Sequence, residues 1–307
     1  MQQQVAFLFP GQASQSVGMG KDIWEAFPKV REIYQQANEI LGFDLSALSF
    51  EGPKELLDLT QYTQPAVFVH SVSVWGVLQA HGWEPVVVAG HSLGEYSALV
   101  SSGALSFEEG LRAIRLRGEL MQQASQEHPG AMAAILGIDD EQVMAICQEA
   151  SVLGIVQAAN FNAPGQVVIS GTQKGVQQAV KLCREIGAKK AVLLPVSGAF
   201  HSPLMASAQP EMERMLADLS IQSARIPVID NVRADVIRSP DEIRARLVQQ
   251  ITSPVRWVAS MRKMMDMDIT RAIEVGPGKV LKGLMKRIDS RLDVVGTSTV
   301  EALRALF

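Results

Sequence analysis

Short runs of apolar residues alternate along the chain with stretches in which apolar positions recur every three or four residues. VAFLF (5–9), VVVA (86–89), IPVID (226–230), AIEVG (272–276) and DVVGTS (293–298) are brief and rich in β-branched or aromatic side chains, and each precedes a turn signal and then a helical pattern. That alternation predicts an α/β fold built on a parallel sheet. Residues 131–196 follow another order, in which AMAAILG, IVQAANF, QVVISG and AVLLPV read as strands and EQVMAICQEA and VQQAVKLCREIG as amphipathic helices. Strand, helix, strand, strand, helix, strand is the βαββαβ arrangement of a ferredoxin-like unit. The expected organisation is therefore a large, α/β-hydrolase-like domain of residues 1–129 and 197–307, with a ferredoxin-like small domain, residues 130–196, inserted into it. The chain would cross between them near His128–Gly130 and Pro195–Gly198. Ligand clefts favour domain junctions and the carboxyl ends of parallel strands.

One such strand end lies in VVVAGHSLGEYSALV, residues 86–100. VVVA is bounded by Pro85, and Leu93, Tyr96 and Val100 are spaced as on a helix. Strand, sharp turn and helix form the frame in which a G-x-S-x-G serine, here Ser92, stands exposed above a sheet with N–H groups at the positive end of the helix behind it. The five letters alone arise by accident in roughly one chain in ten of this length; the strand and helix around them carry the reading. A serine hydroxyl needs a base to become a nucleophile. Of the five histidines, His70 lies in a packed helical pattern, His81 and His128 sit beside Gly82 and Pro129 in connections, and His91 adjoins the serine at a turn where neighbouring side chains diverge. His201 remains, in a small-residue loop where the chain re-enters the large domain, before Pro203 and the helical pattern LMASAQPEMERML. A tetrahedral oxyanion also needs fixed donors. The Pro-Gly-Gln turn after VAFLF can aim the Gln12 N–H toward the same edge as the Leu93 N–H.

Composition narrows the class. With 307 residues, 47% hydrophobic and 20% charged, the chain has the make-up of a globular enzyme, not of a disordered or fibrous protein. The beginning MQQQVAFLFPG has no basic flank, and no stretch approaches ~18 apolar residues; a cytoplasmic protein is expected, acting on neither membrane nor nucleic acid. Cys147 and Cys183 both fall inside amphipathic helical patterns and read as small buried side chains, with no disulfide or metal implied. Net charge is −4, yet residues 254–307 hold ten Lys and Arg against six Asp and Glu, so any basic surface is local. Ser106 and Glu109 have the spacing of a capping box opening a helix with Phe107, Leu111, Ile114 and Met121 on its apolar stripe. Arg112 falls opposite that stripe, whereas Arg115 and Arg117 flank it on either side, and periodicity does not choose between them.

FPGQASQSVGMG, TQYTQPAVF, GHSLGEYSALV, IRLRGELM, NFNAPGQVVISG, SGAFHSPLM, PVRW and EVGPGKVLKGL occur in this order along nearly the whole chain. Together they resemble the malonyl-CoA:acyl-carrier-protein transacylase family, including its stand-alone polyketide relatives. The resemblance implies Ser92 as nucleophile, His201 as general base and then acid, an oxyanion hole at the N–H groups of Gln12 and Leu93, and a main-chain carbonyl at Gln250 orienting the imidazole in place of a triad carboxylate. It also selects Arg117, whose planar fork suits the free carboxylate of a malonyl group, and it places Asn160 and Asn162 along the cleft. Gln166, Lys189 and Lys190 are candidates for the CoA phosphates. Ala13 stands where many relatives have glycine. GPGKVL lacks the Walker spacing and is no P-loop.

The implied reaction carries malonyl from CoA to the phosphopantetheine thiol of an acyl carrier protein through a malonyl-serine ester, for fatty-acid synthesis or for a polyketide pathway, with no metal or redox cofactor. The enzyme is expected to be a monomer. An acidic carrier is expected to meet the basic region near Lys282, Lys286 and Arg287. A serine hydrolase would share the elbow but place its acid between serine and histidine in chain order. The insertion before His201, and the hundred and more residues of strand and helix pattern after it, disfavour that rival.

Overall fold

The computed structural model describes residues 4–196 and 198–307. Among these the chain forms ten strands: β1 (Val5–Phe9), β2 (Val87–Gly90), β3 (Gly130–Leu136), β4 (Val156–Ala163), β5 (Gln166–Thr172), β6 (Lys190–Leu193), β7 (Val228–Ile229), β8 (Val236–Ile237), β9 (Arg271–Glu274) and β10 (Asp293–Gly296). Six build one sheet in the order β10-β9-β1-β2-β7-β8, parallel except for the β7–β8 pair. The other four form a separate antiparallel sheet in the order β4-β5-β3-β6.

β1 and β2 are buried at every position, which is why they read as unbroken apolar runs. Along β1, Val5, Phe7 and Phe9 enter one core with the helices Thr60–Ala80 and Phe107–Glu127. Ala6 and Leu8 point to the opposite face, into a second core with Trp257, Met261, Leu281 and Leu284. The sheet is thus covered on both sides. β7 is shorter than IPVID suggests because the Asp230 carboxylate accepts from the N–H groups of Val232, Arg233 and Asp235, curling the chain out of the sheet. β10 ends at Gly296, after which the Thr297 hydroxyl donates to the Glu274 carbonyl. The helical pattern after Pro203 forms in two pieces, a 3₁₀ stretch Pro203–Ala208 and then an α-helix Gln209–Asp218. Pro210, which has no N–H to continue the first piece, opens the second.

A third core lies against the small sheet and takes in Ile135, Ile146, Cys147, Val167, Ile169 and Cys183. Burial pushes the two thiols up to about 12 at Cys147 and about 11 at Cys183, as inert packed cysteines require. β4 is irregular, with register shifts between Ala158 and Asn160 and between Phe161 and Ala163. It leans there onto the chain of the large sheet: the Val255 N–H donates to the Ala159 carbonyl at 2.8 Å, and the Phe161 N–H to the Val255 carbonyl at 2.9 Å. The first expected crossing coincides with the end of the Phe107–Glu127 helix at His128 and the start of β3 at Gly130. The expected boundary at residue 197 lies outside the described residues. Among the described residues no helix is long and apolar enough to cross a membrane.

Candidate active site

β2 runs into the helix Gly94–Ser101 through His91, Ser92 and Leu93. Ser92 has φ 53°, a left-handed conformation that a non-glycine residue holds only when its surroundings enforce it. The glycines on either side make the turn possible. A Cβ on Gly90 would lie 2.0 Å from the Gly94 carbonyl, and one on Gly94 would lie 2.2 Å from the Phe9 carbonyl oxygen, both backbone atoms that no side-chain rotation can move away. Asn231, in the loop that Asp230 curls after β7, clamps the turn: its Oδ1 accepts from the Ser92 N–H at 2.7 Å and its Nδ2 donates to the Gly90 carbonyl at 2.6 Å.

His201, itself at φ 57°, brings its Nε2 to 2.8 Å from the Ser92 Oγ. Its Nδ1 faces two carbonyls, Gln250 at 2.9 Å and Ser253 at 3.2 Å. Carbonyls only accept, so Nδ1 carries the ring proton and Nε2 is left as the acceptor for the serine hydroxyl. Burial, and then the charge of Arg117, push the imidazole down to about 3. The ring is therefore neutral at physiological pH, the form a general base needs.

Arg117 is buried, 1% exposed, on the Phe107–Glu127 helix that the expected Ser106–Glu109 capping box opens. It donates to Gln64 Oε1 at 2.6 Å, to Gln250 Oε1 at 2.9 Å and to Ser92 Oγ at 3.1 Å, and lies over the Tyr96 ring. No ion pair among the described residues includes it, and its Nε is buried without a hydrogen-bond partner. Arg115, the alternative that periodicity left open, points elsewhere: it pairs with Glu119 and donates to the Leu41 carbonyl at the surface. The two arginines are thus separated by structure where the helical wheel could not separate them.

These groups line a cleft of about 240 Å³ together with Gln12, Leu93, Asn160, Asn162 and Gln166. Its remaining walls are largely apolar, including Met121, Met132, Val168, Phe200 and Leu284. Among the described residues the N–H groups of Gln12 and Leu93 donate to no protein acceptor, and the Gln12 side chain is held by the Thr60 hydroxyl at 2.9 Å. Asn162, instead of only forming a turn, lies in β4 and meets His91 Nε2 at 2.8 Å. Asn160, on the same strand, is buried. Gln166 accepts from Arg287 at 2.7 Å, whereas Lys189 and Lys190 are exposed and do not line this cleft. Lys282, Lys286 and Arg287 lie on the helix Val280–Ile288, whose Val280, Leu281 and Leu284 reach the cleft.

Sequence reasoning missed four participants. Gln64 was visible only as a letter within TQYTQPAVF. Asn231, Glu95 and Gln157 gave no local signal, because each acts across the fold; Gln157 Nε2, for example, donates to the His201 and Thr252 carbonyls. Gln250 was expected for its carbonyl alone, yet its side chain also touches Arg117, the Ser92 carbonyl and Glu95.

Residues 6–300 match the family described as acyl transferase domain. A malonyl CoA-acyl carrier protein transacylase of Bacillus subtilis (strain 168) is 46% identical over 97% of this chain and 95% of its own. An acyl-carrier-protein S-malonyltransferase from Burkholderia pseudomallei 1710b superposes with a TM-score of 0.95 at 43% identity, over 99% of both chains. A malonyl-transacylase solved in complex with a type II PKS acyl-carrier protein gives a TM-score of 0.96 at 40% identity, over 98% of both chains. With relatives this similar from end to end, and a serine, a histidine and a buried arginine meeting in one cleft, the chain belongs to the malonyl-CoA:acyl-carrier-protein transacylase family.

Proposed function

We propose that this protein transfers a malonyl group from malonyl-CoA to the phosphopantetheine thiol of an acyl carrier protein through an ester on Ser92. The observation that carries the proposal is Arg117: a buried guanidinium with no carboxylate partner among the described residues, 3.1 Å from the Ser92 Oγ. A negatively charged acyl group answers that arrangement. A neutral one leaves the charge unpaired.

Ser92 Oγ attacks the thioester carbonyl as its proton passes to His201 Nε2. The Gln12 and Leu93 N–H groups receive the oxyanion. Collapse breaks the C–S bond, and the imidazolium returns its proton to the CoA sulfur. The carrier thiol then enters, gives its proton to His201 and attacks the ester, and Ser92 recovers the proton as it leaves. A bound malonyl carboxylate has a second consequence. Arg117 disfavours a proton on His201, so pairing the guanidinium with a carboxylate eases formation of the imidazolium that the first step produces. The Gln250 carbonyl stabilises the same cation as a dipole where a triad would use a charge.

Two features of architecture support the finer description of the fold. The strand order β4-β5-β3-β6 with the helices Asp140–Ala150 and Gln173–Glu185 supports a ferredoxin-like unit, and the largely parallel six-stranded sheet supports a hydrolase-like α/β body that carries it. The cleft lies between the two, lined by residues of both. For the carrier, the Val280–Ile288 helix supplies basic Lys282, Lys286 and Arg287 beside that cleft, a surface suited to an acidic protein. Neither fatty-acid nor polyketide carriers need different chemistry at Ser92.

Intact-mass spectrometry tests the reading. Incubation with malonyl-CoA should give a single malonyl adduct that persists until carrier protein is added and is absent from Ser92→Ala. An adduct lost to water at the same rate with or without carrier would make the protein a hydrolase and overturn the proposal.

A further inference from the structure

The side chain of Gln250 is an amide, with a donor and an acceptor at opposite corners, and the arginine beside it can only donate. Something must fix which corner faces Arg117. Gln250 Nε2 lies 2.8 Å from Glu95 Oε2 and 3.1 Å from the Ser92 carbonyl, both acceptors, which leaves Oε1 to receive Arg117 at 2.9 Å. Glu95 Oε2 is in turn held as an acceptor by the Asn231 N–H at 3.0 Å. The other oxygen, Oε1, is buried with no partner among the described residues. Glu95 is completely buried at the start of the helix that follows Ser92. A carboxylate so placed, with one oxygen committed to two donors, imposes a single polarity on the amide next to it.

We propose that Glu95 is a positioning residue for substrate choice, acting through the Gln250 side chain to hold the Arg117 guanidinium where it receives the acyl carboxylate. The proposal rests on the reading of Arg117 given above. It separates two functions of Gln250: the carbonyl orients His201 whatever the side chain is, while the amide transmits the acceptor set by Glu95 to Arg117. Because Oε2 accepts whether or not a proton sits on Oε1, a neutral amide at position 95 can take over the role. Its oxygen meets the Asn231 and Gln250 donors, and its nitrogen takes the place of Oε1.

The test measures kcat/KM for malonyl-CoA and acetyl-CoA with carrier protein as acceptor, in Glu95→Met, Glu95→Gln, Gln250→Met, the Glu95→Met/Gln250→Met double variant and Arg117→Ala. Acetyl transfer needs Ser92 and His201 but no carboxylate grip, so the malonyl-to-acetyl ratio isolates the arginine from general damage. That ratio should fall at least tenfold in Glu95→Met and in Gln250→Met, no further in the double variant, and should be restored in Glu95→Gln. A ratio unchanged in Glu95→Met, a parallel fall of both substrates, or additive losses in the double variant would overturn the relay. If Glu95→Met does not fold, Gln250→Met decides, and an unchanged ratio there overturns it equally. Should Arg117→Ala itself keep the wild-type ratio, the reading of Arg117 fails first; loss of the ratio in Arg117→Ala alone leaves that reading standing and removes only Glu95 from it.

Discussion

Arg117 keeps its charge inside the protein with only neutral groups bonded to it, the two glutamine oxygens and the serine hydroxyl. Burial lowers its pKa, opposed by Tyr96 and Glu95. On the proposed function, the desolvation this group has already undergone need not be repeated when a carboxylate arrives. Charge-assisted hydrogen bonds contribute ~1.5 to 3 kcal/mol each, so a two-bond grip favours malonyl by ~10² or more over a variant without it. Arg117→Ala is therefore expected to lose malonyl transfer by about that factor and to gain acetyl transfer, as the charge that an acetyl group leaves unpaired is gone. Arg115→Ala should change neither, since its partners Glu119 and the Leu41 carbonyl lie away from the cleft. The check is kcat/KM for both thioesters in both variants. A parallel fall for the two substrates in Arg117→Ala would assign that arginine to the fold instead of the substrate.

At the scale of elements, the turn after β1 carries a conformation its sequence does not favour. Ala13 sits at φ 77° beside Gln12, its N–H held by Gln15 Oε1 at 2.8 Å. A left-handed alanine costs about 1 to 2 kcal/mol, while glycine adds roughly 0.4 to 1 kcal/mol of unfolded-chain entropy. Ala13→Gly should raise the unfolding free energy by about 0.5 kcal/mol, measured by chemical denaturation, and a loss of stability would show that the alanine methyl packs usefully there. What the sequence made legible were features encoded locally: β1 and β2 as unbroken apolar runs, the Ser106–Glu109 cap, the elbow and the order of strands and helices in the small sheet. Asn231 and Gln250 were not legible as clamps, because their partners at Ser92 are 139 and 158 residues away and no periodicity links them. GPGK shows the same limit from the other side. The helix after it does have an anion at its amino end, but that anion is the chain's own Glu274, whose two oxygens accept from the Leu281 and Lys282 N–H groups at 2.9 Å.

Over the whole molecule, the buried histidines His70 and His201 and the buried Glu95 pull stability in opposite directions with pH. His70, in the centre of the Thr60–Ala80 helix with its Nε2 lacking a partner among the described residues, is pushed down to about 4 by burial, and His201 to about 3. Glu95 is pushed up to about 8, first by burial and then by Asp230. A histidine whose folded pKa is depressed takes its proton more readily when unfolded, so its contribution is full above its ordinary pKa near 6.5 and is lost as pH falls toward the folded value. A glutamate whose folded pKa is raised behaves in the other sense, contributing most below 4.5 and losing that contribution as pH rises toward 8. Because His201 lines the cleft and Glu95 bonds to Gln250 beside it, His70 offers the cleaner measurement. Each pH unit in its window is worth ~1.4 kcal/mol, so His70→Leu should gain on wild type by up to ~3 kcal/mol between pH 6.5 and pH 4, whatever its stability relative to wild type at neutral pH. Urea denaturation of both proteins at half-unit steps gives the difference directly. Parallel curves across that window would mean that the folded protein protonates His70 as easily as the unfolded chain does, through movement of the Thr60–Ala80 helix or entry of water beside it.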